Sequence, residues 1–180
     1  MKTNNKTKFS VTQFGKPLDK NKYSWNEETK TFISKENNLV LDFTNVSECT
    51  FDTGSYCTFK TGSYCTFKTG SKCTFDTGSD CTFKTGYNCT FKTGSDCTFK
   101  TGYNCTFDTR YNCVFKTGSD CTFDTGSKCV IIRRDVFEVI TLEEETNNIK
   151  INTRGIKGFK HIIKYNDMTK EELIKIIKEK

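Results

Sequence analysis

Residues 49–56 read Cys-Thr-Phe-Asp-Thr-Gly-Ser-Tyr, and the chain repeats this octad with few changes as far as residue 128. Every cysteine lies eight residues from the next. Helical repeats have periods of about 33 residues or more, so a unit of eight suits one strand and one corner instead. The eleven cysteines that mark the repeat are Cys49, Cys57, Cys65, Cys73, Cys81, Cys89, Cys97, Cys105, Cys113, Cys121 and Cys129.

The first four residues of each octad have the alternation of a strand. Side chains of a strand point to opposite faces in turn, so Cys and Phe share one face while Thr and a charged residue share the other. The apolar pair is therefore predicted to lie inside. The following Thr-Gly supplies a corner, whose glycine we expect to adopt a positive φ. The predicted core contains the eleven cysteines with Phe51, Phe59, Phe67, Phe75, Phe83, Phe91, Phe99, Phe107, Phe115 and Phe123.

Such units stack as parallel strands, so the fold class is predicted to be all-β, a short-repeat β-solenoid. One coil contains either two octads, 16 residues, or three, 24 residues. Ser-Asp at 79–80 and 95–96 alternates with Tyr-Asn at 87–88 and 103–104. This period of 16 favours two octads per coil, in which Tyr87 would stack on Tyr103, although duplication of a 16-residue segment would leave the same trace.

The solenoid is predicted to cover residues 41–140. Leu41 and Phe43 extend the octad frame at its start, and Phe137 with Val139 fits the beginning of one more octad at its end. A solenoid needs capped ends, because an open coil presents a sheet edge that invites polymerisation.

The flanking segments are predicted to form those caps. Residues 1–40 are an N-terminal cap or arm, with a hairpin around residues 26–30. Residues 141–180 are a C-terminal cap of strands and one helix. Residues 169–172, Thr-Lys-Glu-Glu, form a capping box, and an apolar stripe follows it.

The cysteines have three interpretations. Cys is a small, readily buried apolar residue, and packing beside Phe is the favoured role. Disulfides are the second interpretation. They are less favoured than packing, because stacked parallel strands lie about 4.8 Å apart and give poor disulfide geometry. A thiol-rich metal-binding or redox protein is the third, although zinc motifs use closer cysteine pairs than these. We predict no metal ligand and no cofactor.

Composition excludes several classes of protein. No apolar run reaches about 18 residues, which argues against a transmembrane helix. The single histidine, His161, lies in a strand-like apolar context, and the acidic run at 143–145 fits a solvated turn. The run Arg-Arg-Asp at 133–135 fits an end-cap ion pair better than a phosphate clamp. We therefore predict no catalytic residue and a protein that is not an enzyme.

The surface suggests several binding roles. The outward threonines are similar to the ice-binding rows of insect antifreeze solenoids, which makes ice or ligand binding an alternative function. Those rows read Thr-x-Thr, whereas here the second outward residue is Lys or Asp. Residues 41–128 carry nine basic and nine acidic residues, so at most weak binding to a nucleic acid is expected, through the lysine-rich ends. Tyr87, Tyr103 and Tyr111 are the candidate partner surface, with corner stacking as the alternative role.

The octad itself resembles a known group of sequences. Tandem Cys-Thr-Phe-x-Thr-Gly-x-x repeats, followed by an exit such as Cys-Val-Ile-Ile-Arg-Arg-Asp at 129–135, resemble repeat proteins of large DNA viruses and phages, over residues 14–160. The architecture is distantly similar to pentapeptide-repeat solenoids. The resemblance implies a viral setting and no catalytic residues. With no signal-like segment at residues 1–10, we expect the host cytoplasm or the virion. The expected function is a rigid, non-enzymatic rod that binds a protein partner or copies of itself, without a membrane.

Overall fold

The computed structural model describes residues 8–144 and 146–162 as an all-β parallel solenoid. Each strand of the repeat pairs in parallel with the strand 16 residues away, as Thr82 does with Thr98. The prediction of two octads per coil is therefore confirmed. Successive octads alternate between two sheets that face each other across the core.

The two sheets contain nineteen strands within the described residues. A short 3-10 helix at Lys20–Lys22 lies in the N-terminal cap. The nine-stranded sheet consists of β3 (Ser24–Asn26), β4 (Thr31–Ile33), β6 (Thr50–Asp52), β8 (Thr66–Lys68), β10 (Thr82–Lys84), β12 (Thr98–Lys100), β14 (Val114–Thr117), β16 (Cys129–Arg133) and β17 (Glu138–Leu142). The ten-stranded sheet consists of β1 (Ser10–Gln13), β2 (Lys16–Pro17), β5 (Leu39–Phe43), β7 (Thr58–Thr61), β9 (Thr74–Asp76), β11 (Thr90–Lys92), β13 (Thr106–Asp108), β15 (Thr122–Thr125), β18 (Thr146–Ile151) and β19 (Phe159–His161).

Phenylalanine rings fill the space between the sheets. Rings 16 residues apart lie in one sheet and stack nearly parallel, with centroids 4.8 Å apart for Phe67 and Phe83. Rings eight residues apart face each other across the core edge to face, as Phe75 and Phe83 do at 5.3 Å and 74°. Both arrangements are favourable for aromatic quadrupoles. The result is a continuous herringbone of buried rings, which confirms the predicted phenylalanine ladder.

The cysteines form the second buried ladder. All eleven are buried and free. Each sulfur lies near the corner carbonyl two residues before it, for example 3.4 Å from the Ser55 carbonyl for Cys57. The threonine at the fifth octad position also points inward, and its hydroxyl bonds to the next carbonyl in several coils, as Thr61 does to Gly62 at 3.1 Å. Each coil is thus lined by Cys, Phe and Thr.

The corners correct one prediction. The repeat glycines do not adopt a positive φ; the residue two positions later does, as at Tyr56, Asp80 and Asn88, with φ of 60°, 57° and 55°. At most of these positions glycine is required for a different reason, which is the close approach of neighbouring coils. A Cβ on Gly86 would lie 3.1 Å from the Cα of Ser71. Arg110 stands in the glycine place, and its N–H reaches the Gly94 carbonyl at 3.4 Å, a long corner bond.

The N-terminal cap begins the stack earlier than predicted. The hairpin of β3 and β4 is confirmed, with Trp25 opposite Phe32. Strand β4 already pairs in parallel with β6, so the first parallel strand of the coil begins at Thr31 and not at residue 41. Strand β1 runs antiparallel to β5 and ends the ten-stranded sheet together with β2.

The C-terminal cap ends the parallel stack at β16. Strand β17 pairs antiparallel with β16, so the expectation that Phe137 and Val139 begin another octad is wrong. Phe137 lies in the intervening turn with a positive φ of 51° and is 94% exposed. The octad frame fails here because Arg-Arg-Asp replaces the Thr-Gly corner. The helix predicted from residue 169 lies outside the described residues.

Arg133 anchors this cap. Its side chain is fully buried, and its guanidinium donates to the Asp135 carboxylate at 2.7 Å and to the Ile156 carbonyl at 2.6 Å. Glu138 lies 3.5 Å from the same guanidinium and accepts the Gly158 N–H at 2.8 Å. Burial alone would raise the pKa of Asp135, but the hydrogen bond and charge of Arg133 lower it below its ordinary value. The predicted end-cap ion pair is confirmed.

Candidate interaction surfaces

The exposed surface of the solenoid consists of two flat sides and two corners. We call the outer side of the nine-stranded sheet face B and that of the ten-stranded sheet face A. The first corner leads from the nine-stranded to the ten-stranded sheet and includes residues 85–88 and 101–104. The second corner leads back and includes residues 93–96 and 109–112. Each face presents one threonine row and one charged row, because only two residues of each octad strand point outward.

The charged row of face B is a ladder of like charges. Lys68, Lys84, Lys100 and Lys116 are directly opposite one another in neighbouring parallel strands. We call these four residues the lysine ladder. At its first end Lys68 pairs with Asp52 at 2.9 Å. Within the described residues, the other three lysines have no carboxylate within salt-bridge distance. Thr66, Thr82 and Thr98 form the exposed hydroxyl row beside the ladder.

The charged row of face A is arranged differently. Lys60 lies opposite Asp76, and Lys92 lies between Asp76 and Asp108 in register. Opposite charges therefore alternate from coil to coil over these four positions, which is the favourable arrangement for cross-strand neighbours. Asp124 follows Asp108 at the far end. The same repeat thus has a mixed row on one face and a row of one sign on the other.

The first corner brings two of the predicted tyrosines together. The rings of Tyr87 and Tyr103 stack with centroids 5.1 Å apart and an interplanar angle of 1°, which confirms the predicted stack. Tyr87 and Tyr103 are 40% and 51% exposed. Beside them the Asn104 amide donates to the Asn88 side-chain oxygen at 2.7 Å. The corner therefore carries an aromatic pair and an amide pair that face solvent.

Tyr111 lies elsewhere. It is on the second corner, across the coil from Tyr87 and Tyr103, so the three tyrosines do not form one surface. Together with Arg110 it lines an open groove of about 530 Å³ over Asp76, Lys92 and Asp108. The groove exists because Arg110 and Tyr111 project where other coils have Gly and Ser.

The cysteine ladder is not accessible as a surface. Among the described residues, no group of three or more His, Cys, Asp or Glu side chains is placed to hold a metal ion. Hydrogen bonds with the neighbouring thiols of Cys57 and Cys89, together with burial, raise the pKa of Cys73 above its ordinary value. Its neutral thiol is therefore favoured in the apolar core. The position of these groups fits packing.

The remaining titratable candidates lie in the C-terminal cap. His161 is on the exposed edge strand β19, with its ring 5.7 Å from that of Phe159. Glu143 and Glu144 are exposed after β17, and residue 145 lies outside the described residues. No helix in the described part of the chain is long and apolar enough to cross a membrane.

Comparisons with protein-family models, with curated proteins and with solved structures gave no match to this chain. The function is therefore inferred from the surfaces of the molecule itself.

Charge counting along the chain missed the arrangement of these surfaces. In residues 41–128, the octads of the nine-stranded sheet carry five cations and two carboxylates, whereas those of the ten-stranded sheet carry four cations and seven carboxylates. The neutral array is therefore positive on one side and negative on the other. The signal was present in the sequence, because a coil of two octads assigns alternate octads to opposite faces.

Proposed function

We propose that this protein is a non-enzymatic structural and interaction protein, a rigid rod that binds a macromolecular partner or copies of itself through its exposed rows. The observation that carries the proposal is the division of the octad. Cys, Phe and the inner Thr are nearly constant and build the core, whereas the outward charged residue and the last two corner residues vary. Because the variation is confined to the surface, it fits a scaffold whose surface residues determine which partner it binds.

Rigidity follows from the continuous sheets. Each strand of the repeat pairs on both sides, and the corners add coil-to-coil bonds such as Gly86 N–H to the Gly70 carbonyl at 3.0 Å. Ten strands at about 4.8 Å spacing give a stack about 43 Å tall. The resemblance of the octad to viral repeat proteins suggests that the rod serves in a virion or in an infected cell.

Removal of whole coils tests the rod. Deletion of residues 65–96 takes out two coils and joins Tyr64 to Cys97, which keeps every later octad on its own sheet. In small-angle X-ray scattering we expect the longest dimension to shorten by about 10 Å, with the β circular dichroism per residue unchanged. A variant of unchanged length, or one that unfolds, would contradict the rod.

The matched control removes half a coil. Deletion of residues 81–88 moves every later octad to the opposite sheet, and the C-terminal cap moves with them because its strands pair with β15 and β16. Since the octads of both sheets share the same Cys, Phe and inner Thr, we expect this variant to keep the fold and to lose stability only through the changed neighbours at the junction, where Lys100 would lie beside Asp76. Unfolding of this variant, while the two-coil deletion folds, would show that the octads of the two sheets are not interchangeable.

The tyrosine pair tests the binding role. Tyr87→Ser with Tyr103→Ser removes the exposed ring stack, while Tyr111→Ser removes a ring from the other corner. If copies of the rod associate through the first corner, sedimentation velocity should show weaker association for the double variant only. Unchanged circular dichroism would separate binding from folding. A wild-type protein that stays monomeric up to high micromolar concentration would reject self-association and leave partner binding.

A further inference from the structure

The lysine ladder is the surface feature that the fold does not require. Like charges directly opposite each other on neighbouring strands are destabilising. On face A the chain avoids this cost by alternating Lys60, Asp76, Lys92 and Asp108. On face B the same octad keeps four lysines in register. Since the repeat accepts either residue at this position, the ladder is a property of the surface and not of the core.

From this contrast we infer that face B binds the phosphate backbone of a single-stranded nucleic acid along the lysine ladder. The inference rests on the proposed function, because it names the partner of the rod. A row of positively charged side chains fits a polymer in which every repeat carries a negative charge. Each lysine is a cation on a long, adaptable stem, so its ammonium can follow phosphates whose spacing differs from that of the strands. The threonine hydroxyls beside the ladder supply further donors to phosphate oxygens.

A second copy of the chain fits the ladder less well. Face A of a neighbouring copy would present Lys60 and Lys92 among its aspartates, so any four consecutive positions of that row would bring at least one lysine toward the ladder. A phosphodiester backbone carries a negative charge at every repeat and has no such conflict. The uniform sign of the ladder therefore favours a polyanion over self-association at this face.

The first corner gives the reason to choose nucleic acid among polyanions. Strands β10 and β12 end at Lys84 and Lys100, and the corners that follow immediately carry Tyr87 and Tyr103. Exposed aromatic rings beside a basic row are the elements with which proteins bind single strands, because every base has a face that can stack. The stacked pair leaves its outer ring faces and its hydroxyls available, and the neighbouring asparagines offer amides to base edges.

The charge around this corner supports the same partner. Besides the ladder, Lys72 lies on the first corner with its ammonium 3.0 Å from the Tyr56 hydroxyl, which raises the pKa of Lys72. Arg134 directly follows β16, is exposed, and donates to the Thr101 carbonyl. Between residues 49 and 134, face B and the first corner together carry six exposed cations and two carboxylates, those of Asp52 and Asp120.

The test measures binding of a fluorescein-labelled single strand of twelve thymidines by fluorescence anisotropy, from 50 to 200 mM salt. If the four ladder lysines contact phosphates, the logarithm of the association constant should fall with a slope of about −2.8 against the logarithm of salt. Lys84→Gln with Lys116→Gln should reduce the slope to about −1.4 and weaken binding at 50 mM salt. This variant relieves like-charge repulsion, so we expect it to remain folded.

The matched control is Lys60→Gln with Lys92→Gln, which lowers the net charge from +6 by the same amount on face A. We expect it to keep the wild-type slope. Equal losses in the two variants would mean attraction by net charge alone and would overturn the ladder as a site. Absence of binding at 50 mM salt would overturn the proposal outright, while the scattering experiment would still decide whether the protein is a rod.

Two further measurements identify the partner class. Tyr87→Ser with Tyr103→Ser should weaken binding of the labelled strand but leave the salt slope and heparin binding unchanged. If heparin and a twelve-base-pair duplex bind as well as the single strand and the tyrosine variant has no effect, the ladder is a general polyanion surface and the nucleic-acid assignment is wrong. If Lys84→Gln with Lys116→Gln abolishes dimerisation instead, the partner is a second copy.

Discussion

Replacement of Phe91 by alanine removes a ring from the middle of the herringbone. Phe91 is fully buried and contacts four rings. It stacks on Phe75 at 4.9 Å and on Phe107 at 5.0 Å, and it meets Phe83 and Phe99 edge to face at 5.2 Å each. The variant would leave a cavity enclosed on all sides by rings whose backbones are held in two continuous sheets.

The expected cost follows from that enclosure. A buried Phe→Ala substitution costs about 3–5 kcal/mol, and the cost is higher where the site cannot collapse. The paired sheets prevent collapse, so we expect about 5 kcal/mol for Phe91→Ala. Among the rings of the described residues, Phe123 contacts only Phe107 and Phe115. Each aromatic pair contributes about 0.5–1.5 kcal/mol, so Phe123→Ala should be milder by about 1–3 kcal/mol.

Urea unfolding followed with two probes measures both the size and the extent of the effect. Circular dichroism reports all the strands, while the single tryptophan, Trp25, reports the N-terminal cap, where it packs against Phe9 and Phe43. A central defect in a repeat stack weakens the coupling between its two ends, so the two midpoints should separate in Phe91→Ala. A loss below about 2 kcal/mol, or equal losses at Phe91 and Phe123, would refute the account of the core.

Two other predictions concern the corners and the thiols. Gly86→Ala should destabilise by about 1–3 kcal/mol, because its Cβ would overlap the Ser71 side chain and press on its Cα. Gly118→Ala, whose Cβ would have its nearest neighbours at 3.4 Å, should change stability by less than about 0.5 kcal/mol, and equal melting temperatures for the two would reject the steric account. Intact mass spectrometry of non-reduced protein should show eleven free thiols, since all eleven cysteines are free and buried. Bound metal, or a mass lowered by two hydrogens per disulfide, would make the cysteine ladder a site in its own right.

The octad was sufficient to predict the coil because period and alternation act together. Eight residues give one strand and one corner, and the parity of Cys and Phe places both inside. The alternation of residues 79–80 with 87–88 then distinguished two octads per coil from three, and the parallel rings of Tyr87 and Tyr103 agree with it. These inferences succeeded because each depends on a repeated local pattern and not on a single residue.

The corner conformation could not be predicted from glycine alone. Glycine is the usual residue at positive φ, yet here the left-handed position is the last residue of the octad, including Tyr56 and Tyr64. The frequent Asn and Asp at that position, such as Asp80 and Asn88, were the available signal, since these residues tolerate the left-handed region best. The glycine two positions earlier is fixed by its distance to the neighbouring coil, which only the stacked structure defines.

The inward fifth position and the lysine ladder were missed for a simpler reason. Thr101 has the same parity as Cys97 and Phe99 and is buried with them, although the Thr-Gly pair that it begins predicts a corner. The lysines were counted together with the aspartates along the chain, although a coil of two octads places Lys84 beside Lys100 and far from Asp76. The C-terminal cap is different in kind, because the antiparallel return of β17 begins where the octad pattern ends.

Because the core is uniform, the coils differ from one another mainly at their surface. Every coil repeats the same buried contacts, so the outward charged position and the corner can change without disturbing the stack, as Lys92 and Asp108 show by occupying equivalent places in neighbouring strands. A residue that the core leaves free to vary can follow a binding requirement. Four lysines in register on one face, beside a row of mixed charge on the other, fit a polyanionic partner. Repulsion along the ladder favours any substitution that breaks it, and a bound polyanion is the condition under which the unbroken ladder is the more stable arrangement.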